Sequence, residues 1–373
     1  MSETSSSRLR LFRATPDDQE RLLKLYSEKS RDGHVRINLD MSPDVFAALS
    51  VEGFKNEVFA VEDVSTGELA GAGVRNLRHC YVNGTMETVG YLSGLRVAAK
   101  YRKSRAMFLI FKQLRDLYLQ GECFGYLTSV FNSNTVAKNV LTSGKAGMPR
   151  FREVGQLTTF VFKPQYLSGP RSKDCETRTA TEADIPELVK FLQTEGARYQ
   201  FFPYLDEEDF RQQRGFLKEL DINQVWIARK QGSIAGCMAF IDQSAFRRWK
   251  VDGYSPVFKK MRGALNLGNA LLGLPSFPKE QQNFNYHLLS LVCIRDFDAE
   301  IFKTLFNKAV NPLMQKEKPL VLLSLFNGSP FTAELPLLKF SFKSTIFIGY
   351  WGETLTQIES LDNRFPHLEA ASL

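Results

Sequence analysis

Four cations crowd into the six residues Lys100-Tyr101-Arg102-Lys103-Ser104-Arg105, directly ahead of a stretch with helical spacing. The apolar positions Phe108, Leu109, Phe111, Leu114, Leu117 and Tyr118 predict a helix over 105–119 that lies on a sheet. The preceding Leu95-Arg96-Val97 ends a strand pattern over 89–97. A strand, a short loop and a helix start aim several unpaired backbone N–H groups at one spot, at the positive end of the helix dipole. That is chemistry for an anion. Cysteine and histidine offer less. Cys80, Cys123, Cys175, Cys237 and Cys293 are scattered and odd in number, with no CxxC. They read as reduced thiols of a cytoplasmic protein, not as a disulfide framework or a zinc site. His34, His79, His287 and His367 show neither HxxxH nor HExxH spacing, so no metal is expected.

The elements that must position this chemistry come from a chain of 373 residues, roughly two to three domains' worth. Its 43% hydrophobic and 24% charged residues exclude wholesale disorder, a fibre and a membrane bundle. Apolar runs such as 291–294 and 320–323 are far shorter than the roughly 20 residues a spanning helix needs, so no transmembrane segment is expected. Residues 1–7 are polar and Ser-rich, which reads as a frayed tail and not a signal peptide. The net charge of +7 favours anionic ligands in general.

The chain repeats itself. Ala14-Thr15-Pro16-Asp17-Asp18 returns as Ala180-Thr181-Glu182-Ala183-Asp184, and each copy leads into a helical stripe. Asn56-Glu57-Val58-Phe59 returns as Asn223-Gln224-Val225-Trp226. Gly67-Glu68-Leu69-Ala70-Gly71 returns as Gly232-Ser233-Ile234-Ala235-Gly236. Ser129-Val130-Phe131-Asn132 returns as Ser324-Leu325-Phe326-Asn327 at a wider spacing, so the second copy holds an insertion at about 245–285. The turn-rich segment 168–173 separates a first unit, 1–167, from a second, 174–373. Each unit reads strand, helix, hairpin, strand, helix, strand, helix, strand. The hairpins are 58–64 with 69–74 and 225–229 with 234–241. Strands over 124–130 and 156–162 and a short helix over 135–141 complete the first unit. A strand over 288–293, a helix over 298–314, and strands over 320–326 and 344–351 complete the second. The fold class is α/β with a mixed sheet, in two tandem copies.

This order, with its ATxxD opening and Gx(I/L)AG hairpin, resembles the GNAT acyltransferase superfamily. The residues 91–148 carry the most specific part. The family places R/Q-x-x-G-x-G/A at the helix start, where this chain has Arg102-Lys103-Ser104-Arg105-Ala106-Met107. The family pattern N-x-x-A-x-x-L-Y…G-F aligns with Asn134–Leu141 and Gly147-Met148. Residues 91–164 are also similar to the plant hookless-type N-acetyltransferases, through the cadence LRV…YR and TSGKAG…FR.

The resemblance implies an N-acetyltransferase that uses acetyl-CoA or another acyl-CoA and no metal. The CoA pyrophosphate is expected on Arg102, Lys103, Ser104, Arg105, Ala106 and Met107, with Lys103, Ser104 and Ala106 offering usable N–H groups. Arg105 and Met107 depart from the family's small residues. Leu95, Arg96 and Val97 would hold the pantetheine arm and polarise the thioester carbonyl, and Asn134 would support the cofactor. The arm would lie between strands 89–97 and 124–130. The base is sought among Glu57, Glu62 and Glu87, with Glu87 preferred. The family's thiolate-protonating tyrosine falls on Leu141, so Tyr126, or Tyr91, is expected to substitute. The acceptor is an amine, on a small molecule or a peptide.

The second copy keeps the shell and loses the motif. Asp296, Asp298 and Glu300 stand where phosphates need N–H groups, so this half is expected not to bind CoA. In its insertion, basic and aromatic residues interleave at Phe246-Arg247-Arg248-Trp249-Lys250 and Phe258-Lys259-Lys260-Met261-Arg262. The spacing allows a nucleic-acid face, a membrane-surface helix or, as preferred, a wall of the acceptor pocket. No nucleic-acid partner is expected. Fem-type aminoacyltransferases and myristoyltransferases also pair two such halves. The basic motif argues against the first, and 30 Phe keep a longer acyl chain open. The alternative to an enzyme is a degenerate pair of GNAT-like folds that senses a ligand.

Overall fold

The computed structural model describes residues 8–28, 34–141, 143, 147–315, 318–352 and 358–373. The polar tail 1–7 and most of the TSGKAG cadence, residues 142 and 144–146, lie outside the described residues.

The strands of the first copy are β1 (Leu9–Arg13), β2 (Val35–Asp40), β3 (Lys55–Asp63), β4 (Glu68–Val82), β5 (Thr85–Val97), β6 (Tyr126–Phe131) and β7 (Arg150–Phe162). Those of the second are β8 (Cys175–Thr179), β9 (Tyr199–Gln200), β10 (Val225–Lys230), β11 (Ser233–Ile241), β12 (Arg248–Tyr254), β13 (Tyr286–Ile294), β14 (Leu320–Phe326), β15 (Phe340–Tyr350) and β16 (Phe365–Pro366). The helices are α1 (Gln19–Tyr26), α2 (Val45–Leu49), α3 (Ala106–Tyr118), α4 (Thr135–Leu141), α5 (Ile185–Gly196), α6 (Glu207–Arg211), α7 (Pro256–Leu271), α8 (Ala299–Ala309) and α9 (Asn311–Gln315).

Both ATxxD segments become helix starts of one design. Thr15 and Asp18 close a capping box ahead of α1, and Thr181 and Asp184 close its twin ahead of α5. Each hairpin turns at a glycine in the left-handed region, Gly67 at φ 70° and Gly232 at φ 80°. The helix expected over 298–314 is two, α8 and α9, because Pro312 brings no N–H and restricts Asn311 before it.

Among the described residues, twelve strands form one sheet in the order β1-β3-β4-β5-β6-β15-β7-β14-β13-β11-β10-β8. From either edge inward the order is the same, five strands from each copy. The centre departs from the expectation that 156–162 closes its own unit's sheet. β7 lies beside β14 of the second copy, and β15 lies beside β6 of the first. The two closing strands pair with each other from Phe340↔Val161 to Tyr350↔Arg150. Exchange leaves no open strand edge at the junction, where an unpaired edge would expose a row of polar backbone groups. The insertion crosses back to the first copy as well. Its β12 pairs antiparallel with β2, Trp249 opposite Leu39 and Val251 opposite Ile37.

Candidate active site

Parallel β5 and β6 are paired only at Gly90↔Tyr126 and Tyr91↔Leu127. Beyond that point a single side-chain bond joins them, from Thr128 Oγ1 to the Leu92 carbonyl at 3.0 Å. The strands part into a V that opens at their carboxyl ends. Two glycines shape it. A Cβ on Gly90 would overlap the Tyr126 ring, so only glycine lets the floor close. Gly94, at φ 56°, sits in a bulge: Val74 faces Ser93 and Ala72 faces Arg96, so β5 carries one residue more than β4. A bulge turns a peptide out of the ladder, here on the edge that faces the open V.

The V leads to the α3 N-terminus. The amides of Met107 and Phe108, in the first turn of α3, have no intrahelical acceptor. Arg102, Lys103 and Arg105 are exposed and form no salt bridge with any described residue, whereas Lys100 is held by Glu68 at 2.9 Å. The expectation of usable N–H groups needs correction at two positions. The Ser104 amide donates to the Tyr101 carbonyl at 2.9 Å, and the Ala106 amide to Ser104 Oγ at 3.2 Å. Open amides therefore begin at Met107. Beside Met107, a pocket of about 330 Å³ lies between α3 and α4, lined also by Val136, Asn139, Val140, Ser143 and Met148. Asn134 is the N-cap of α4, its Oδ1 accepting from the Ala137 amide at 3.0 Å. Of the β5 positions, Leu95 is exposed and Arg96 and Val97 are half-buried, at the mouth of the V. Burial lowers the Arg96 pKa from its ordinary value.

The expected acid and base sit elsewhere. Glu87 is exposed opposite Cys80, three residues on the closed side of Gly90, and the V opens the other way. Glu62 accepts from Arg21 and Arg10, and the Arg21 bond holds its carboxyl below the usual range. Glu57 pairs with the fully buried Arg75. Arg75 also donates from Nε to Tyr126 Oη at 2.7 Å and binds Glu122 at 2.6 Å. Tyr126 is itself fully buried, packed between Tyr118 and Trp351, and burial pushes its pKa up. A phenol held this way is a poor proton donor to a thiolate. Tyr91 is buried too, with the Arg78 guanidinium 4.2 Å over its ring, and burial raises it to about 12. Leu141 is buried on α4.

A different group borders the bulge. Ser93 donates to Glu52 Oε2, which also accepts from Asn76 Nδ2 at 2.7 Å. Arg247, from the insertion, binds Glu52 Oε1 at 3.0 Å and the Leu373 carbonyl. Glu52, Asn76 and Arg247 are all buried. Arg247 Nη1 and, nearby on α1, Tyr26 Oη are buried with no hydrogen-bond partner. A charged, incompletely satisfied cluster inside an apolar protein is costly to keep. The signal that locates it lies in the repeat: Leu92-Ser93-Gly94-Leu95 matches Leu289-Ser290-Leu291-Val292.

The second copy builds the same V and fills it. β13 and β14 pair from Tyr286↔Leu320 to Leu288↔Leu322 and then part. A matching bulge sets Ala239 against Ser290 and Cys237 against Cys293, with Leu291 at φ 54°. Here the Leu291 amide donates to Glu369 Oε2 at 3.0 Å. Residues 365–370 lie along the opening and leave a void of only about 30 Å³. At the helix start, Asp298 Oδ1 accepts from the Glu300 and Ile301 amides at 2.9 and 3.1 Å. The N–H groups open in α3 are occupied in α8.

No family model matches this chain, and no curated protein matches it by sequence. Solved structures share its fold. The GCN5-related N-acetyltransferase of Sphaerobacter thermophilus aligns over 92% of this chain and 96% of its own, at 12% identity and a TM-score of 0.56. Saccharomyces cerevisiae N-myristoyltransferase with bound myristoyl-CoA and inhibitors aligns over 93% and 81%, at 10% identity and a TM-score of 0.59. The GCN5-related N-acetyltransferase of Kribbella flavida aligns over 91% and 70%, at 10% identity and a TM-score of 0.51. The fold is therefore that of the GNAT and N-myristoyltransferase group. Among the described residues, no helix is long and apolar enough to cross a membrane, and no His, Cys, Asp or Glu group is arranged to hold a metal.

Proposed function

We propose that this protein transfers an acyl group from acyl-CoA, most simply acetyl-CoA, to an amine, using the V of its first copy. We take 1–167 and 174–373 as the two units, joined by 168–173, in a cytoplasmic protein. The observation that carries the reading is the contrast between two equivalent clefts. One is open, bulged at a glycine and aimed at unpaired cations. The other is closed by Glu369 and Asp298.

The pantetheine arm adds to the open edge of β5 at Leu95–Val97 as an extra strand would. Arg102, Lys103, Arg105 and the Met107 amide meet the phosphates. The bulge N–H groups polarise the thioester carbonyl and stabilise the oxyanion as it forms. The amine nitrogen attacks the carbonyl carbon and the carbon–sulfur bond breaks. The amine proton passes to Ser93 Oγ and on to Glu52, and the departing thiolate is protonated through water, which regains that proton as Glu52 returns to the carboxylate. Glu87 and Tyr126 have no part in this sequence, for the reasons of place and burial given above.

A second reading, a ligand sensor without turnover, is favoured by Arg105 and Met107 in place of small residues and by Leu141 in place of tyrosine. Thermal shift with CoA, acetyl-CoA and myristoyl-CoA tests both. A ligand at a hundredfold excess over Kd adds about 2.7 kcal/mol to stability. A shift accompanied by thiol release on adding amines supports the transferase. A shift without release supports the sensor, and no shift with any CoA species refutes both.

A further inference from the structure

Helix α7 is built inside out. Asn266, Asn269 and Arg262 share the face that meets the following segment. Asn266 accepts from the Phe277 amide at 2.8 Å and donates to the Phe277 carbonyl at 3.0 Å. Asn269 donates to the Pro275 carbonyl at 2.9 Å, and Arg262 to the Phe277 carbonyl at 3.2 Å. The other face carries Val257, Met261, Leu267 and Leu271, exposed by 66, 51, 66 and 81%. A surface helix normally turns its apolar stripe to the core. This one spends its polar side chains on the protein and presents leucine to solvent.

A second segment continues the patch. Phe277 stacks on Phe340 with ring centroids 5.7 Å apart. The loop ahead of β15 then exposes Leu337 by 95% and Leu338 by 47%. Leu338 approaches Gly273, just past the end of α7. Around this patch the charge is predominantly basic. Residues 253–280 carry Lys259, Lys260, Arg262 and Lys279 against the one acid Glu280, which pairs with Lys259 at 2.7 Å; residues 335–343 contain no acid and add Lys339 and Lys343. Contiguous exposed apolar surface with a charged rim marks an interaction site. A second copy of the chain is a poor occupant, because two faces with an excess of cations, Glu280 being already taken up by Lys259, would repel. An anionic bilayer satisfies both halves of the surface. Its acyl boundary accepts the leucines and its surface potential attracts the lysines.

We propose that the face made by α7 and residues 336–343 docks the protein peripherally on an anionic lipid surface. The face adjoins the mouth of the open V, since β15 starts beside the carboxyl end of β6 and Phe342 packs against Phe131 at 5.7 Å. The docking itself is independent of any acyl transfer.

Vesicle flotation of the full chain tests it without reference to activity. The protein should float with vesicles of phosphatidylcholine mixed with phosphatidylserine, and not with phosphatidylcholine alone. The double variant L267D/L271D should lose flotation while keeping its circular dichroism and melting temperature, because both side chains are exposed. Each lysine near an anionic surface is worth about fivefold in partitioning, so K260Q/K343Q should weaken binding by about 25-fold. Absence of flotation with either vesicle overturns the proposal, as does undiminished flotation of L267D/L271D. Equal flotation with both vesicles removes the electrostatic part and overturns it as stated. A concentration-dependent dimer that L267D/L271D abolishes, without lipid binding, assigns the face to a second copy instead.

Discussion

Replacing Arg75 by methionine tests the buried network that holds Tyr126. Arg75 has no exposed side-chain surface, and its partner Glu57 is 5% exposed. Removing one member of a buried pair costs about 3–5 kcal/mol, because the other is left charged in a poor solvent. Here Glu57 keeps Arg13 at 3.2 Å and Lys55 at 3.9 Å. Both of those are well exposed, and pairs of that kind return only about 0.2–1 kcal/mol each. Methionine also fills much of the arginine's volume, which limits the cavity cost. The expected loss for Arg75→Met is therefore about 3 kcal/mol. Adding Glu57→Gln removes the stranded charge and should recover about 1–2 kcal/mol, a coupling that a double-mutant cycle reads directly. Equilibrium urea unfolding of the four proteins supplies the values. A loss under about 1 kcal/mol for Arg75→Met, or a further loss on adding Glu57→Gln, would refute the reasoning.

Three further outcomes follow from the two clefts and the helix caps. Gly94→Ala forces a left-handed alanine, whose Cβ would lie 2.9 Å from Val74 Cγ2 and 3.0 Å from Tyr26 Oη. It should cost transfer about 10²–10³-fold while CoA affinity, measured by calorimetry, stays close to wild type; unchanged turnover would remove the bulge from the mechanism. Glu369→Ala strands the buried Leu291 amide and should destabilise by about 1–3 kcal/mol, read as a fall in melting temperature. An unchanged melting temperature would mean the carboxylate does not close the second cleft. Asp184 is held below the usual carboxylate range, chiefly by its bond to Arg178. Its contribution is complete above the ordinary aspartate pKa of about 3.9 and is lost as pH falls through the lower folded value. Asp184→Asn should thus flatten the acid limb of a stability–pH curve, and an equally steep limb would contradict the assignment.

Local pattern carried much of this molecule. The repeat placed both hairpins and both helical stripes after ATxxD, because each depends on residues close together in the chain. The exchange of β7 and β15 was not legible. Either copy's closing strand is chemically able to pair with its own sheet, and the choice is settled by non-local pairing. The exposed cations of Lys100–Arg105, a short run at a helix start, were readable from the sequence. The group beside the bulge was not. Glu87 looked well placed by distance along the chain, but the direction in which β5 and β6 part puts it on the closed side. Glu52 reaches Ser93 only through the turn before β3, and Arg247 joins them from the insertion. The match of Ser93-Gly94 with Ser290-Leu291 was visible as sequence. Only the register, with its extra residue on β5 and on β13, gives that match a meaning. The acids at Asp296, Asp298 and Glu300 did signal an altered helix start, whereas the closure of the second cleft by residues 365–370 depends on a tail far along the chain.

Where CoA sits separates an open first cleft from a closed second one. Hydrogen–deuterium exchange of the full chain with and without saturating CoA measures that directly. Protection is expected at residues 92–97 and 102–108, with residues 288–301 unchanged. Protection at 288–301, or no protection at 92–97 and 102–108 under saturation, would contradict an open first cleft and a closed second.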